Sequence, residues 1–305
     1  MESAQPQYSI SYKAYRRKLA RPLHTAHGAW TERAGVLIRL RDAEGRTGFG
    51  EVAPLDTFGT ETAEEARAWI DANGGRYPRY GYLRIPSRFP CLQMAAWSAE
   101  RMLDGEVAVE RTFPVVGLLS AGDTALEQIE ALSERGFHTF KWKIGVLPVR
   151  EEIGLFNKLL EALPVKGVIR LDANAGLDSD SFVIWLRRLR GTPRVAFLEQ
   201  PLPGDRLREM IRQSQKFGVA LALDESVSQV GSLLTALISG WNGLLVIKPS
   251  VVGSPIQYLQ WQACWQRNLV FSSAFETGVG MEHALQLAAS VPNPDRVLAL
   301  GFGTQ

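Results

Sequence analysis

The sequence predicts an α/β fold: a (β/α)7β TIM-like barrel over residues 111–305, preceded by an α+β unit over residues 1–110. Three observations point to it. From about Phe113 onward, short apolar, β-rich runs alternate with helical stretches of about ten to fifteen residues, the rhythm of βαβ units in a parallel sheet. Charged residues recur where these runs end, at a spacing close to one βα unit. The first hundred or so residues lack that rhythm and read as strands followed by helices. A length of 305 residues suits one barrel of about 200 to 250 residues with a smaller companion.

In the N-terminal unit, Gln7–Tyr15, Ala34–Arg41 and Arg46–Val52 carry alternating or β-rich patterns, with Asp42-Ala43-Glu44-Gly45 as the hairpin turn between the last two. A three-stranded meander is expected. Ala20–Glu32, with Pro, Gly and two His, reads as a long loop of the kind that serves as a lid. Thr62-Ala63-Glu64-Glu65 is a capping box that opens a helix, and Cys91–Leu103 is amphipathic up to the stop at Asp104-Gly105. Cys91 and Cys264 lie far apart in apolar, helix-like stretches, so they read as buried thiols and not as a disulfide or a metal site.

The barrel runs are FPVVGLL, FHTFKWKI, KGVIRLD, RVAFLEQ, VALALD, GLLVIK, NLVFSS and VLALGFG. Eight runs imply closure, with seven full helices because the sequence ends soon after the eighth run. An open doubly wound sheet is the alternative. It would ordinarily carry a glycine-rich phosphate loop after an early strand, and none occurs.

The chemistry sits at the run ends. From Lys143, the stations Asp172, Glu199, Asp224 and Lys248 follow at intervals of 29, 27, 25 and 24 residues. At the C-terminal mouth of a barrel such positions converge. A lone Asp at a strand end ordinarily caps the next helix. Three carboxylates repeated at βα spacing would instead meet in one polar mouth, repel one another, and call for a hard divalent cation such as Mg²⁺, which takes oxygen ligands and keeps open positions. Lys141 and Lys143, two apart on a strand, face the same interior, where each ammonium lowers the pKa of the other and brings Lys143 towards the range of a base. Three of the eight lysines stand at these strand ends, and Lys248, across the mouth from Lys143, supplies a second cation. Arg170, Asp172 and Asn174 share one face by the same two-residue period, with Arg170 as a support beneath the carboxylates or a structural ion pair. Gln200-Pro201-Leu202-Pro203 ends its strand, because proline cannot continue the ladder. Ser272, Ser273 and Glu276 follow the seventh run.

Taken together, Lys141-Trp142-Lys143, the acidic residues Asp172, Glu199 and Asp224, and Lys248 resemble the enolase superfamily, its muconate-lactonising enzyme subgroup, and within that the o-succinylbenzoate synthases. The resemblance covers nearly the whole chain. It implies that the N-terminal unit is a capping domain closing over substrate through Ala20–Glu32 and Pro54–Gly59. It also implies Asp172, Glu199 and Asp224 as ligands of Mg²⁺, with Mn²⁺ able to substitute, and Lys143 and Lys248 as the catalytic pair. Substrate would lie beside Lys141, Asn174, Ser272, Ser273, Glu276 and, on the eighth run, Gly301.

The implied activity is dehydration of 2-succinyl-6-hydroxy-2,4-cyclohexadiene-1-carboxylate to 2-succinylbenzoate, a step in menaquinone or phylloquinone synthesis. Arg170-Leu171-Asp172 and the Ser272-to-Glu276 stretch favour this reaction, with Thr277 where serine is common. N-succinylamino acid racemase, cycloisomerase and dipeptide epimerase activities use the same lysines, and a non-catalytic metal-stabilised barrel is a further alternative. Leu300-Gly301-Phe302-Gly303-Thr304 lacks the Asp-x-Asp of dipeptide epimerases. His283, on the helix after the seventh run, offers no His-Asp dyad of the mandelate-racemase kind. Family members often return a C-terminal tail to the capping domain, and this chain stops at Gln305 before one.

Hydrophobic residues at 46% and charged residues at 22% provide for a large core, and a net charge of +2 with signs interspersed offers no basic face for nucleic acid. No basic-then-apolar leader opens the sequence and no run approaches the roughly 18 apolar residues that cross a bilayer, so a cytoplasmic protein without membrane insertion is expected. A small carboxylate is the expected partner. Packed and exposed apolar helices carry the same pattern here, so the pattern assigns no oligomeric state.

Overall fold

The computed structural model describes residues 7–25, 28–55, 58–105, 112–264, 269–291 and 298–303, with the side chains of 20–29 and 264 left aside. β1 (Gln7–Thr25) and β2 (Gly28–Arg41) form a long antiparallel hairpin, and β2 pairs onward with β3 (Thr47–Val52). The turn into β3 closes where the Arg46 amide donates to Asp42 Oδ1 at 2.8 Å, with Gly45 at φ +86°. A fourth strand, β4 (Arg76–Pro78), adds to the other edge of β1, giving the order β3-β2-β1-β4 instead of the expected three-stranded meander. At three residues it is too short to carry a period.

Two further expectations are corrected in this unit. Ala20–Glu32 is strand over most of its length: pairing runs from Ser9↔Arg41 to Lys18↔Glu32, shifts, and resumes from Leu23↔Trp30 to Thr25↔Gly28. Beyond Tyr15 the sequence loses its apolar alternation, the signal that marks a half-buried strand, while the backbone ladder continues. Residues 26 and 27, and 56 and 57 of the second closing loop, lie outside the described residues. The helix expected at Cys91–Leu103 is present as α2 (Pro90–Leu103), but it is buried almost all round. It lies on β3 at backbone distance, because a Cβ at Gly48 or Gly50 would overlap the carbonyl oxygens of Ala99 and Ala95. The expected capping box opens α1 (Ala63–Ala72), with the Glu65 amide donating to Thr62 Oγ1 at 3.1 Å and the Thr62 amide to Glu65 Oε2 at 2.8 Å. Cys91 is a free, buried thiol, whereas the Cys264 side chain lies outside the described residues.

The second unit is a seven-stranded parallel sheet in strict sequence order: β5 (Val116–Leu119), β6 (Thr139–Lys143), β7 (Val168–Asp172), β8 (Val195–Glu199), β9 (Leu221–Leu223), β10 (Leu244–Ile247) and β11 (Leu269–Phe271). A helix follows each: α3 (Thr124–Glu134), α4 (Val149–Ala162), α5 (Ser179–Leu189), α6 (Leu207–Phe217), α7 (Val230–Ile238), α8 (Pro255–Cys264) and α9 (Gly278–Ala289). The eighth run makes single parallel bridges, Leu300 with Val115 and Gly301 with Ser272, and so touches both edges of the sheet. Its amides bond to both sides: Leu300 N donates to Pro114 O at 2.8 Å and Gly301 N to Phe271 O at 2.8 Å.

Two-residue periodicity sorts these strands. Trp142, fully buried between Lys141 and Lys143, points outward and meets Trp185 edge-on at 6.5 Å, while Phe156 reaches Trp185 at 5.5 Å. Inward, Phe197, Ala222, Val246 and Val270 form a small apolar cluster of their own, two residues below Glu199, Asp224, Lys248 and Ser272. An apolar floor thus carries a polar layer. Among the described residues no helix is long and apolar enough to cross a membrane.

Candidate active site

Above that floor opens a cavity of about 410 Å³, lined by Lys141, Lys143, Asp172, Asn174, Asp224, Lys248, Ser272, Ser273 and Gly301, with Trp30, Leu55, Phe58 and Phe275 on its apolar side. Each charged group arrives at a strand end because inward positions alternate with outward ones. Cross-strand register puts Lys143 beside Asp172 and Asp172 beside Glu199. Glu199 and Arg170 are buried behind the cavity wall and do not line it.

The ammonium groups are interleaved with the carboxylates. Lys141 Nζ lies 2.7 Å from Glu199 Oε1 and 2.9 Å from Asp172 Oδ2. Lys143 Nζ donates to Asn174 Oδ1 and stands 4.0 Å from Asp172 Oδ2. Lys248 Nζ donates to both oxygens of Asp224 and lies 4.4 Å from the centre of the Phe58 ring, on the capping unit's loop. The ammonium groups thus stand among the carboxylates, and among the described residues no three acidic, imidazole or thiol side chains are gathered closely enough to hold an ion as they stand. Lys141 occupies the position between Asp172 and Glu199, and Lys248 engages both oxygens of Asp224.

Protonation follows from burial and neighbours. Burial depresses the Lys143 pKa; Asp172 opposes and Lys141 adds to the fall. Lys141 goes the other way. Burial works against its charge, but Asp172, Glu199 and Asp224 outweigh it and hold its pKa above the ordinary value, so the expected mutual lowering applies to Lys143 alone. Burial raises the Asp172 carboxyl, yet Lys141 and Lys143 bring it down to about 2. Burial lifts Glu199 to about 7, Lys141 opposing and Asp172 and Asp224 adding, and it raises Asp224 against Lys248. With Glu225 on the wall and Glu199 buried behind it, four carboxylates stand among three ammonium groups. An all-oxygen donor set on three adjacent strands fits a hard divalent cation.

Ala175 and Phe275 line the cavity although no signal in the sequence marks them. Asn174, Ala175, Gln200 and Phe275 have positive φ (42°, 59°, 35° and 59°), strained backbone that collects at functional sites and has no sequence signature without glycine. Gly301 does have one: a Cβ there would lie 2.8 Å from Ser272 Oγ. Asn174 donates to Glu225 Oε1 at 2.9 Å, which points its carbonyl at Lys143. Ser273 Oγ accepts from the Phe275 amide at 2.8 Å. Glu276 lies outside the cavity lining, buried at 3% exposure, its carboxylate turned back to the Ala274 amide at 2.5 Å. Arg170 donates to the Ala299 carbonyl at 2.8 Å and packs over Phe197 at 5.0 Å, so its direct tie is to the eighth run.

The capping unit is fastened to this rim. Glu51 of β3 accepts from the Thr277 amide at 2.8 Å and the Gly280 amide at 3.0 Å, capping α9 across the two units, and Tyr15 donates to it at 2.5 Å. Arg17 donates to the carbonyls of Phe275 and Glu276 at 2.8 and 2.7 Å, and Arg33 to Ala274 at 3.0 Å. Gln229, past the end of β9, donates to Phe58 O at 3.3 Å and Gly59 O at 3.1 Å.

Comparison with known proteins gives a consistent picture. Residues 14–88 match the family described as MenC, N-terminal domain, and residues 124–300 match the enolase C-terminal domain-like family. An o-succinylbenzoate synthase of Thermosynechococcus vestitus is 35% identical over 96% of this chain and 91% of its own, and one from Klebsiella pneumoniae is 31% identical over 84% and 79%. The crystal structure of o-succinylbenzoate synthase from Thermosynechococcus elongatus BP-1, complexed with Mg in the active site, superposes with a TM-score of 0.87 at 33% identity, covering 97% and 92% of the two chains. A muconate lactonizing enzyme from Pseudomonas fluorescens shares the fold at a TM-score of 0.83 and 21% identity, over 98% and 88%.

Proposed function

The chain belongs to the o-succinylbenzoate synthase family of the enolase superfamily, and from that premise we propose how its residues divide the work of a carbon–oxygen lyase. The reaction is dehydration of 2-succinyl-6-hydroxy-2,4-cyclohexadiene-1-carboxylate to 2-succinylbenzoate and water, a step in menaquinone or phylloquinone synthesis. One observation carries the assignment: Lys143, with its pKa depressed by burial, and Lys248, paired to Asp224, line the same cavity as Asp172 and Asp224, with Glu199 directly behind its wall.

Asp172, Glu199 and Asp224 would hold Mg²⁺, with Mn²⁺ an admissible substitute in an oxygen-rich set. The cation would supply positive charge where the substrate carboxylate gains electron density, a contribution of several kcal/mol. Lys143 takes the proton next to that carboxylate on Nζ. As the ammonium it then returns the proton to the departing hydroxide, so that water leaves and the ring becomes aromatic. The Lys143–Asn174–Glu225 chain of hydrogen bonds orients the base. Lys141 stays charged between Asp172 and Glu199. Lys248 remains an ammonium facing the ring, the role it already plays towards Phe58. Trp30, Leu55, Phe58 and Phe275 exclude water from the ring, and Ser272, Ser273 and Gly301 border the succinyl arm. Glu276 supports that border from behind, and Arg170 supports the floor.

The same reading takes the parallel sheet, with Leu300 and Gly301 bridging its edges, as a (β/α)7β barrel and divides the chain near residue 110 into capping unit and barrel. It also places the enzyme in the cytoplasm, acting on a small carboxylate.

Hydrogen exchange of N-succinylamino acid enantiomers in D₂O tests the single base. Exchange is expected from the Lys143 side only. Exchange from both faces, abolished one face at a time in Lys143→Ala and Lys248→Ala, would establish a two-base racemase instead.

A further inference from the structure

Gln200 follows Glu199 and has no part in the chemistry assigned above, yet its side chain uses its full hydrogen-bonding capacity. Nε2 donates to the Leu202 carbonyl at 2.8 Å and to Ser226 Oγ at 2.5 Å, while Oε1 accepts from the amides of Asp224 at 2.9 Å and Ser226 at 3.2 Å. Its main chain is equally engaged: the Gln200 amide donates to Ala222 O at 2.8 Å, and its carbonyl accepts from the Ala175 amide at 2.7 Å. The residue is fully buried and held at φ +35°, a conformation that persists only where the surroundings over-determine it. One residue therefore ties together the ends of three consecutive strands, those that carry Asp172, Glu199 and Asp224.

We propose that Gln200 is a positioning residue for the metal site, its amide fixing the turn Asp224–Ser226 and with it the direction in which the Asp224 carboxylate points. The inference rests on the reading that these carboxylates hold Mg²⁺. Ser226 is the second half of the clamp: it meets Gln200 through both its amide and its hydroxyl, and a Cβ at Gly204 would come within 2.9 Å of that hydroxyl, so the turn is confined from the β8 side as well. Packing alone would not need an amide here. A Met side chain fills similar space without any of the four bonds.

Isothermal titration of Mg²⁺ into the full chain compares the parent with Q200M, S226A and D224N, each checked for fold by circular dichroism and by melting without metal. The proposal expects Q200M to fold and to bind Mg²⁺ about 10- to 100-fold more weakly, the effect of removing a partner that orients a ligand, with S226A weakened in the same direction by a smaller factor. A residue that served only stability would lower the melting temperature and leave the dissociation constant alone. A folded Q200M that binds within about twofold of the parent overturns the proposal, since it falls well short of that range. Should Q200M fail to fold, S226A decides: weaker binding supports the clamp, and unchanged affinity overturns it. A parent protein that takes up no Mg²⁺ at millimolar concentration sinks the metal reading itself, a result separable from the others by the D224N control.

Discussion

At the residue scale, burial and a neighbouring ammonium push Lys143 towards the neutral form it needs as a base. Its folded pKa lies below that of an ordinary lysine, so kcat/KM should rise with pH and level off below the usual value of about 10.4. A rate profile with no such acid limb would remove Lys143 from the role. Glu276 offers a test by stability. Burial raises its carboxyl to about 7, so its contribution is fully present below the unfolded value and lost as pH rises through 7. Glu276→Gln should therefore gain stability over the parent between about pH 5 and pH 8, by up to about 1–3 kcal/mol, read from denaturant midpoints at the two pH values. A gap that stays constant with pH would mean that burial does not raise the Glu276 carboxyl above its unfolded value. Ala175, at φ +59°, adopts backbone that suits glycine. Ala175→Gly should stabilise the fold by about 0.5–2 kcal/mol, the relieved strain less the added freedom of the unfolded chain, seen as a higher melting temperature. Strain of this kind was invisible in the sequence. Lys143 and Asp172 were visible, because a charge at the end of an apolar strand is costly to bury unless a partner or an ion compensates it.

At the scale of the element, what was legible depended on whether a strand had a buried face. The parallel strands read clearly, since an inward charge follows an outward apolar residue in Lys141-Trp142-Lys143 and Arg170-Leu171-Asp172. The far part of the β1–β2 hairpin had no such alternation and read as a loop. The link between units was equally hidden, because Glu51 caps α9 from 226 residues away along the chain. Removing that carboxylate leaves the amides of Thr277 and Gly280 without their acceptor. Glu51→Ala should cost about 1–3 kcal/mol in urea denaturation and raise KM more than it lowers kcat, since the rim bearing Ser273 and Phe275 loses its anchor. Unchanged stability and KM would mean that the cap holds its place without Glu51.

At the scale of the whole molecule, order and spacing of strand-end charges were enough to expect one shared site on a parallel sheet, since only a repeating βα frame brings residues so far apart in sequence to one mouth. What could not be read was how the charges pair once gathered. Lys141 and Lys248 settle between and onto the carboxylates, an outcome set by side-chain distances and not by strand order. The central claim is that this mouth dehydrates the cyclohexadiene carboxylate with a metal ion and Lys143. Loss of the substrate's diene absorbance, followed with Mg²⁺, with EDTA and in Lys143→Ala, tests it most directly. The account expects rapid turnover by the parent, none in EDTA, and a loss of at least about 10²-fold in the variant. Turnover that survives EDTA, or a Lys143→Ala enzyme as fast as the parent, would contradict it.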